Sequence, residues 1–187
     1  MSPSDQIKAW IDYLAWRSKL ALHAYATAIT DDHRLRSRNP YLSVRDVHAF
    51  LTQATMIARA FIPTRGASDR TVQRTQFLLK WFGVETTALQ NCIDARNNLD
   101  HHDERFDTVF EHPDAIVSPA IYTMDSREGL EEMGERPVLL ILTYIRGENS
   151  IVTYSPKGEQ TITALDPIRK ELQYIESRCL DFIARER

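Results

Sequence analysis

The sequence predicts a mainly α-helical fold, an antiparallel helical bundle with a small antiparallel β-meander inserted before the C-terminal helix. Apolar residues recur at helical spacing through most of the chain, whereas residues 115 to 165 contain short alternating and β-branched runs. The 187 residues, of which 43% are hydrophobic, suffice for one core, and no shift in composition marks a boundary. We therefore expect a single domain over residues 1–187 with a β insertion at about 115–165.

Four helices are predicted before the insertion. The first runs to about Thr30, and a break at Asn39-Pro40 precedes a second, which Ser43 is expected to cap and Pro63 to end. The boundaries of the next two helices follow from local signals as well. Ser68 and Gly83 are expected to bound the third helix, Thr87 and Gln90 resemble a capping box at the start of the fourth, and that helix should run toward His112-Pro113.

After Pro113 the pattern becomes that of strands and turns. The strand candidates are Ile116 to Met124, Val138 to Ile145, Ile151 to Tyr154 and Thr161 to Leu165. Asp166-Pro167 then predicts the start of the last helix, because proline suits the first helical position.

Charge is distributed unevenly along the chain, although the net charge is only -3. Residues 31 to 80 contain nine Lys or Arg against four Asp or Glu, and residues 81 to 187 contain eleven against twenty. An anionic partner such as RNA would have to approach the first of these regions, unless its arginines are scattered over solvated helix faces. The basic residues are Arg34, Arg36, Arg38, Arg45, Arg59, Arg65, Arg70, Arg74 and Lys80.

The sequence indicates a cytoplasmic protein. It has no run of 18 apolar residues, and its first residues do not combine a basic segment with an apolar one, so we expect no membrane span and no secretory signal. Cys92 and Cys179 lie within helical apolar patterns, which predicts reduced core thiols. Neither a Gly-rich phosphate loop nor a Gly-x-Ser-x-Gly motif occurs, and we expect no cofactor.

The most informative stretch is residues 96 to 105, where an arginine, polar residues and a histidine recur within one predicted helix. With Arg96 at zero, helical geometry places the other members of this face at about 40° for Asp100, 80° for Glu104, 100° for Asn97 and 140° for His101. The apolar stripe lies at about 260° to 320°. It comprises Ala88, Cys92, Ala95, Leu99, Phe106 and Phe110.

An arginine and a histidine on one helix face can cleave a phosphodiester without a metal. A neutral imidazole accepts or donates a proton near pH 7, and a guanidinium binds phosphate oxygens through its planar fork. One copy is incomplete, because attack by a ribose 2′-hydroxyl requires both a base and an acid. Two copies facing each other across a two-fold axis would supply both, which predicts a homodimer.

Arg96-Asn97-x-x-x-His101 resembles the signature of HEPN (higher eukaryote and prokaryote nucleotide-binding) domains, an arginine, a polar residue, a short spacer and a histidine. The resemblance implies an α-helical bundle and a homodimeric, metal-independent endoribonuclease of the kind found in bacterial toxin–antitoxin and defence systems, with an antitoxin-like protein as a further partner. It implies that Arg96 and His101 are catalytic and that RNA lies in the dimer cleft. Residues 102 to 105 are similar to a motif extension in bacterial HEPN-like proteins. The meander is not part of the minimal family core.

We assign Asn97, Asp100 and Glu104 to substrate binding beside Arg96 and His101. Spacing alone also permits His102 as the motif histidine, but at about 240° it borders the apolar stripe. Two alternatives remain. The face could be an ion-paired, solvated surface of a HEPN-like module without catalysis, which binds a nucleotide, RNA or a protein. Alternatively, histidines and acids could hold a metal, although no His-Glu-x-x-His spacing occurs and we expect no metal site. The metal-ligand candidates are His101, His102, Asp103 and His112.

Three other histidines, His23, His33 and His48, stand alone in the sequence. We interpret them as residues of the surface or the edge of the core.

Overall fold

The fold is described by a computed structural model that covers residues 3–29, 40–101, 116–124, 126, 128, 138–154 and 159–186. It contains the predicted helical bundle, with strands before the last helix. The helices are α1 (Pro3–Ile29), α2 (Pro40–Phe61), α3 (Asp69–Phe82), α4 (Thr86–Asp100) and α5 (Leu165–Arg185).

Helices α1, α2, α4 and α5 form the bundle, and α3 packs beside α2. Helices α1 and α2 run antiparallel. Arg17 donates to Gln53 (2.6 Å) while Tyr25, farther along α1, packs edge-on against Phe50, which precedes Gln53 on α2. None of the described helices has the combination of length and apolar character that a membrane span requires.

The predicted helix boundaries are confirmed at α3 and corrected at α2 and α4. Ser68 caps α3 by accepting a hydrogen bond from Thr71 N (3.4 Å), and Gly83 ends it in the left-handed conformation with φ 68°. Helix α2 begins at Pro40, three residues before Ser43, because proline presets the φ of a first helical turn. The Thr87 capping box is wrong, since α4 already begins at Thr86.

Four strands form one sheet in the order β1 (Ile116–Met124), β2 (Val138–Ile145), β3 (Ser150–Tyr154) and β4 (Gln160–Ala164). Strands β2, β3 and β4 are the predicted antiparallel meander. Strand β1 pairs with β2 in parallel, which adds to the meander a pairing that the sequence did not indicate. The reason is the long connection between β1 and β2, because a crossover of about a dozen residues or more permits parallel pairing.

The core lies between the helices and receives side chains from the sheet. The expected apolar stripe of α4 is confirmed at Cys92, Ala95 and Leu99, which are buried, while Phe106 and Phe110 lie outside the described residues. Cys92 and Cys179 are buried free thiols, as predicted. Burial raises the pKa of each thiol to about 12, which keeps both protonated at neutral pH.

A polar network joins the sheet to two helices. Asn149, in the β2–β3 turn with φ 47°, donates to the Asp166 carboxylate (2.9 Å) and to the Tyr25 hydroxyl, and accepts from Tyr144 (2.9 Å). Tyr25 in turn donates to Asp166. Burial, followed by the Asp166 contact, raises the pKa of Tyr25 to about 12, while the hydrogen bond from Tyr25 holds the pKa of Asp166 below its usual value.

Candidate functional site

Arg96 lies on α4 and reaches across to α2. Its Nε donates to the Thr52 hydroxyl (3.2 Å), and its Nη1 forms an ion pair with Asp100, one turn later on α4. These contacts leave the side chain only 18% exposed. Burial lowers the pKa of the guanidinium, yet an arginine remains charged at any physiological pH. Arg96 is therefore a positioned cation at the seam between two helices rather than a freely solvated surface charge.

The residues behind Arg96 are apolar or neutral. Cys92, one turn earlier on α4, is buried and contacts Thr55 of α2 at 3.5 Å between Sγ and Oγ1. Because burial raises its pKa to about 12, this thiol is not a nucleophile at neutral pH. Cys92 thus serves as packing under the site.

His48 is the residue of this site that the sequence did not reveal. It lies on α2 one turn before Thr52, whose hydroxyl donates to the His48 carbonyl (2.9 Å) and accepts from Arg96. Partial burial lowers the pKa of the His48 imidazole, and the positive charge of Arg96 lowers it further. His48 therefore favours the neutral form, which can accept a proton. Only the pairing of α2 with α4 brings it to Arg96, so no local motif could have indicated it.

His101 lies at the end of α4, where the structure corrects the expected helical geometry. The helix ends at Asp100, and His101 is its C-cap residue with φ -106° and ψ 28°. Its backbone N–H donates to the Asn97 carbonyl (3.1 Å), and its side chain is exposed. The helix therefore ends at Asp100 and does not continue through His101 toward His112 as expected.

The other assigned residues differ in what they contact. Asn97 is exposed on the last turn of α4, and Asp100 holds Arg96. Asn98, which the sequence did not single out, donates to Thr153 of β3 (3.3 Å) and so fixes this end of α4 to the sheet.

Several candidate residues lie outside the described part of the chain, namely Glu104, His102, Asp103 and His112. Among the residues that are described, no three potential ligands cluster to hold a metal ion.

The basic region predicted to attract an anion is only partly described. Arg34, Arg36 and Arg38 lie outside the described residues. Arg45 is exposed and pairs with the adjacent Asp46 (2.8 Å), whereas Arg70 and Arg74 lie together on one face of α3. The basic residues of this region that the structure describes are therefore spread over two helices and the segment between them.

No family model, no characterised protein sequence and no solved structure matches this chain.

The arrangement combines an oriented guanidinium, a neutral imidazole on the adjacent helix and an exposed histidine at the end of the same helix. A guanidinium can bind a phosphate oxygen and stabilise the charge that develops when a phosphodiester is attacked. Imidazoles can supply the acid and the base. These residues provide the groups that metal-free phosphodiester cleavage requires.

Proposed function

We propose that this protein is a metal-independent, HEPN-type endoribonuclease that acts as a symmetric homodimer in the cytoplasm. The observation that carries the proposal is the fixed position of Arg96, which Thr52 and Asp100 hold where α4 packs against α2. The Arg96-Asn97-x-x-x-His101 pattern and the helical bundle that surrounds it support the same function.

In the proposed reaction, Arg96 binds the scissile phosphate and stabilises the additional negative charge of the transition state. An imidazole accepts the proton of the ribose 2′-hydroxyl, whose oxygen attacks phosphorus, and a second imidazole donates a proton to the departing 5′-oxygen. His101 supplies these imidazoles, one from each subunit. The products are a 2′,3′-cyclic phosphate and a 5′-hydroxyl, and no water or metal is consumed.

The remaining residues position these groups. Asp100 orients Arg96 and reduces its net charge, so that phosphate must compete with a carboxylate for the guanidinium. Asn97, exposed at the same end of α4, orients the phosphate or His101, and Glu104 is proposed to tune His101. An antitoxin-like protein would inhibit the enzyme by covering this face.

The test is RNA cleavage by variants that remove single groups. Arg96→Met and His101→Ala should each slow cleavage by about 10²-fold or more, because each removes a group that acts in the transition state. His23→Ala, which changes an exposed histidine on α1, is the matched control and should cleave at the wild-type rate. If cleavage survives both substitutions while all three variants unfold at the wild-type temperature, the assignment of Arg96 and His101 is wrong.

The second candidate is a module of the same fold that binds RNA, a nucleotide or a protein without catalysis. The ion pair between Arg96 and Asp100 favours it, because i, i+4 pairs of this kind also stabilise helices that have no active site. Such a module would bind its partner equally well with His101 replaced, and no RNA would be cleaved by the wild type.

A further inference from the structure

A groove of about 570 Å³ lies between the first turns of α1 and one face of α3, away from the Arg96 contacts. Its walls include Trp10 of α1 and Arg70, Arg74 and Phe77 of α3, and none of the lining residues that the structure describes is acidic. Small-molecule sites in proteins typically have volumes of about 300–1,000 Å³. The groove thus has the size of a ligand site and a positive charge.

Among the described residues, Arg74 differs from the two other arginines that stack on tryptophans. The guanidinium carbon of Arg74 lies 4.3 Å from the centre of a Trp10 ring, as Arg17 lies over Trp16 and Arg178 over Trp81. Arg17 also donates to Gln53, and Arg178 donates to the Trp81 carbonyl. The Nε of all three arginines is buried without an acceptor, but among the described residues Arg74 has no acceptor for its other N–H groups either.

A buried guanidinium N–H without an acceptor is uncommon in folded proteins, because its desolvation is not compensated. The stacking on Trp10 fixes the plane of the Arg74 guanidinium, so its N–H groups are held in place before any ligand arrives. An oxyanion is the acceptor that matches a guanidinium best.

Two further residues extend this site along α3. Arg70 is exposed one turn before Arg74, so the two cations lie on the same face. Phe77 follows three residues after Arg74, lines the same groove and exposes 44% of its surface. An exposed aromatic ring beside two arginines is the combination that binds a nucleic-acid base together with its phosphate.

We infer that the groove binds a nucleoside monophosphate unit, with the phosphate on Arg70 and Arg74 and the base against Phe77. The unit can be a free mononucleotide or one nucleotide of single-stranded RNA, since both present the same phosphate and base. The inference does not depend on cleavage at Arg96, because none of these residues contributes to that site.

Calorimetric titration of the full chain with AMP and with a short oligoadenylate tests the inference. AMP should bind, and Arg74→Met should weaken its binding by about tenfold or more because the charge-assisted hydrogen bonds are lost. Phe77→Ala should weaken it by about fivefold or more through loss of stacking. Arg65→Met, which changes an exposed arginine that does not line the groove, is the control and should bind as the wild type does. If Arg74→Met does not fold, Arg70→Gln, at an exposed position of the same groove, replaces it and should also weaken AMP binding.

Comparison of the ligands distinguishes a free nucleotide from RNA, and binding of the phosphate from binding of the base. Tighter binding of oligoadenylate than of AMP, lost in the same variants, would identify RNA as the source; the reverse order would identify the free nucleotide. Inorganic phosphate or a polyglutamate peptide that binds as tightly as AMP would overturn the inference, because charge alone would explain binding. No binding of AMP or oligoadenylate would also overturn it. Failure of the ribonuclease proposal leaves this result interpretable, because the titration measures binding to the groove and requires no cleavage.

Discussion

At the scale of single residues, the main finding is that a helix pairing assembles groups which are distant in sequence. Thr52 accepts a hydrogen bond from Arg96 and donates one to the carbonyl of His48, one turn away on its own helix. The Arg96 charge therefore acts on an imidazole 48 positions earlier in the chain. The lowered pKa of His48 follows first from its partial burial and second from that charge.

The effect of the Arg96 charge on His48 predicts how the His48 imidazole titrates. The NMR titration midpoint of His48 should lie below 6.5 in the wild type and should rise in Arg96→Met, because one of its two causes is removed. Arg59→Met is the control. Arg59 lies on the same helix eleven residues later, about 16 Å along the axis, where its charge is screened. A His48 midpoint that is the same in Arg96→Met and in the wild type would show that the two groups do not interact.

The lowered pKa of His48 also predicts how the free energy of unfolding changes with pH. A lowered pKa in the folded state means that the unfolded chain binds the His48 proton more tightly. His48 thus lowers the free energy of unfolding as the pH falls through about 6.5, the unfolded value, and contributes nothing above it. In urea unfolding, His48→Gln should lose less stability than the wild type between pH 7.5 and pH 5.5. An equal or greater loss in the variant would contradict the assignment.

At the scale of elements, helices were predictable where local chemistry determines them. Ser68 and Gly83 bound α3 as expected, since a side-chain cap and a left-handed glycine act within one turn. The start of α4 was not predictable, because the N–H of Glu85, its N-cap residue, is bound by the Glu171 carboxylate of α5 at 3.2 Å. The parallel pairing of β1 likewise depends on a long crossover rather than on residues in the strand.

The Tyr25 network gives a test of how the sheet is fixed to the bundle. Asn149→Gly keeps the backbone freedom that φ 47° requires but removes the hydrogen bonds to Tyr144 and Asp166, which should lower the free energy of unfolding by about 1–2 kcal/mol. Asn149→Ala should lose roughly 1 kcal/mol more, because alanine is strained at positive φ. Both values come from urea unfolding. If the two variants are as stable as the wild type, the network does not stabilise the fold.

At the scale of the whole molecule, the candidate site could be predicted only in part. The residues Arg96 and Asp100 were correctly placed on one helix face by their spacing, which the ion pair confirms. Spacing could not reveal that α4 ends before His101 or that the charge of Arg96 acts on His48 of another helix, since both depend on how elements pack. The pairing of two copies remains a prediction, because it concerns a second chain.

If the end of α4 lies at the dimer interface, a charge introduced there should weaken the dimer. In sedimentation velocity the wild type should be a dimer at micromolar concentration. Asn97→Lys should weaken it by about tenfold or more, because a symmetric interface places the two new charges near each other. His23→Lys, an equivalent change on the exposed face of α1, should leave the dimer unchanged. A monomeric wild type, or a dimer insensitive to Asn97→Lys, would place the interface elsewhere or remove it.

The most direct measurement of the central claim is analysis of RNA ends after incubation with the wild type in excess EDTA. Cleavage should persist in the chelator and leave 2′,3′-cyclic phosphate and 5′-hydroxyl ends, because Arg96 and two imidazoles supply all of the chemistry. Cleavage that stops in EDTA and returns with a divalent ion would contradict the metal-free mechanism. Absence of cleavage across single-stranded and structured RNAs would contradict the ribonuclease assignment itself.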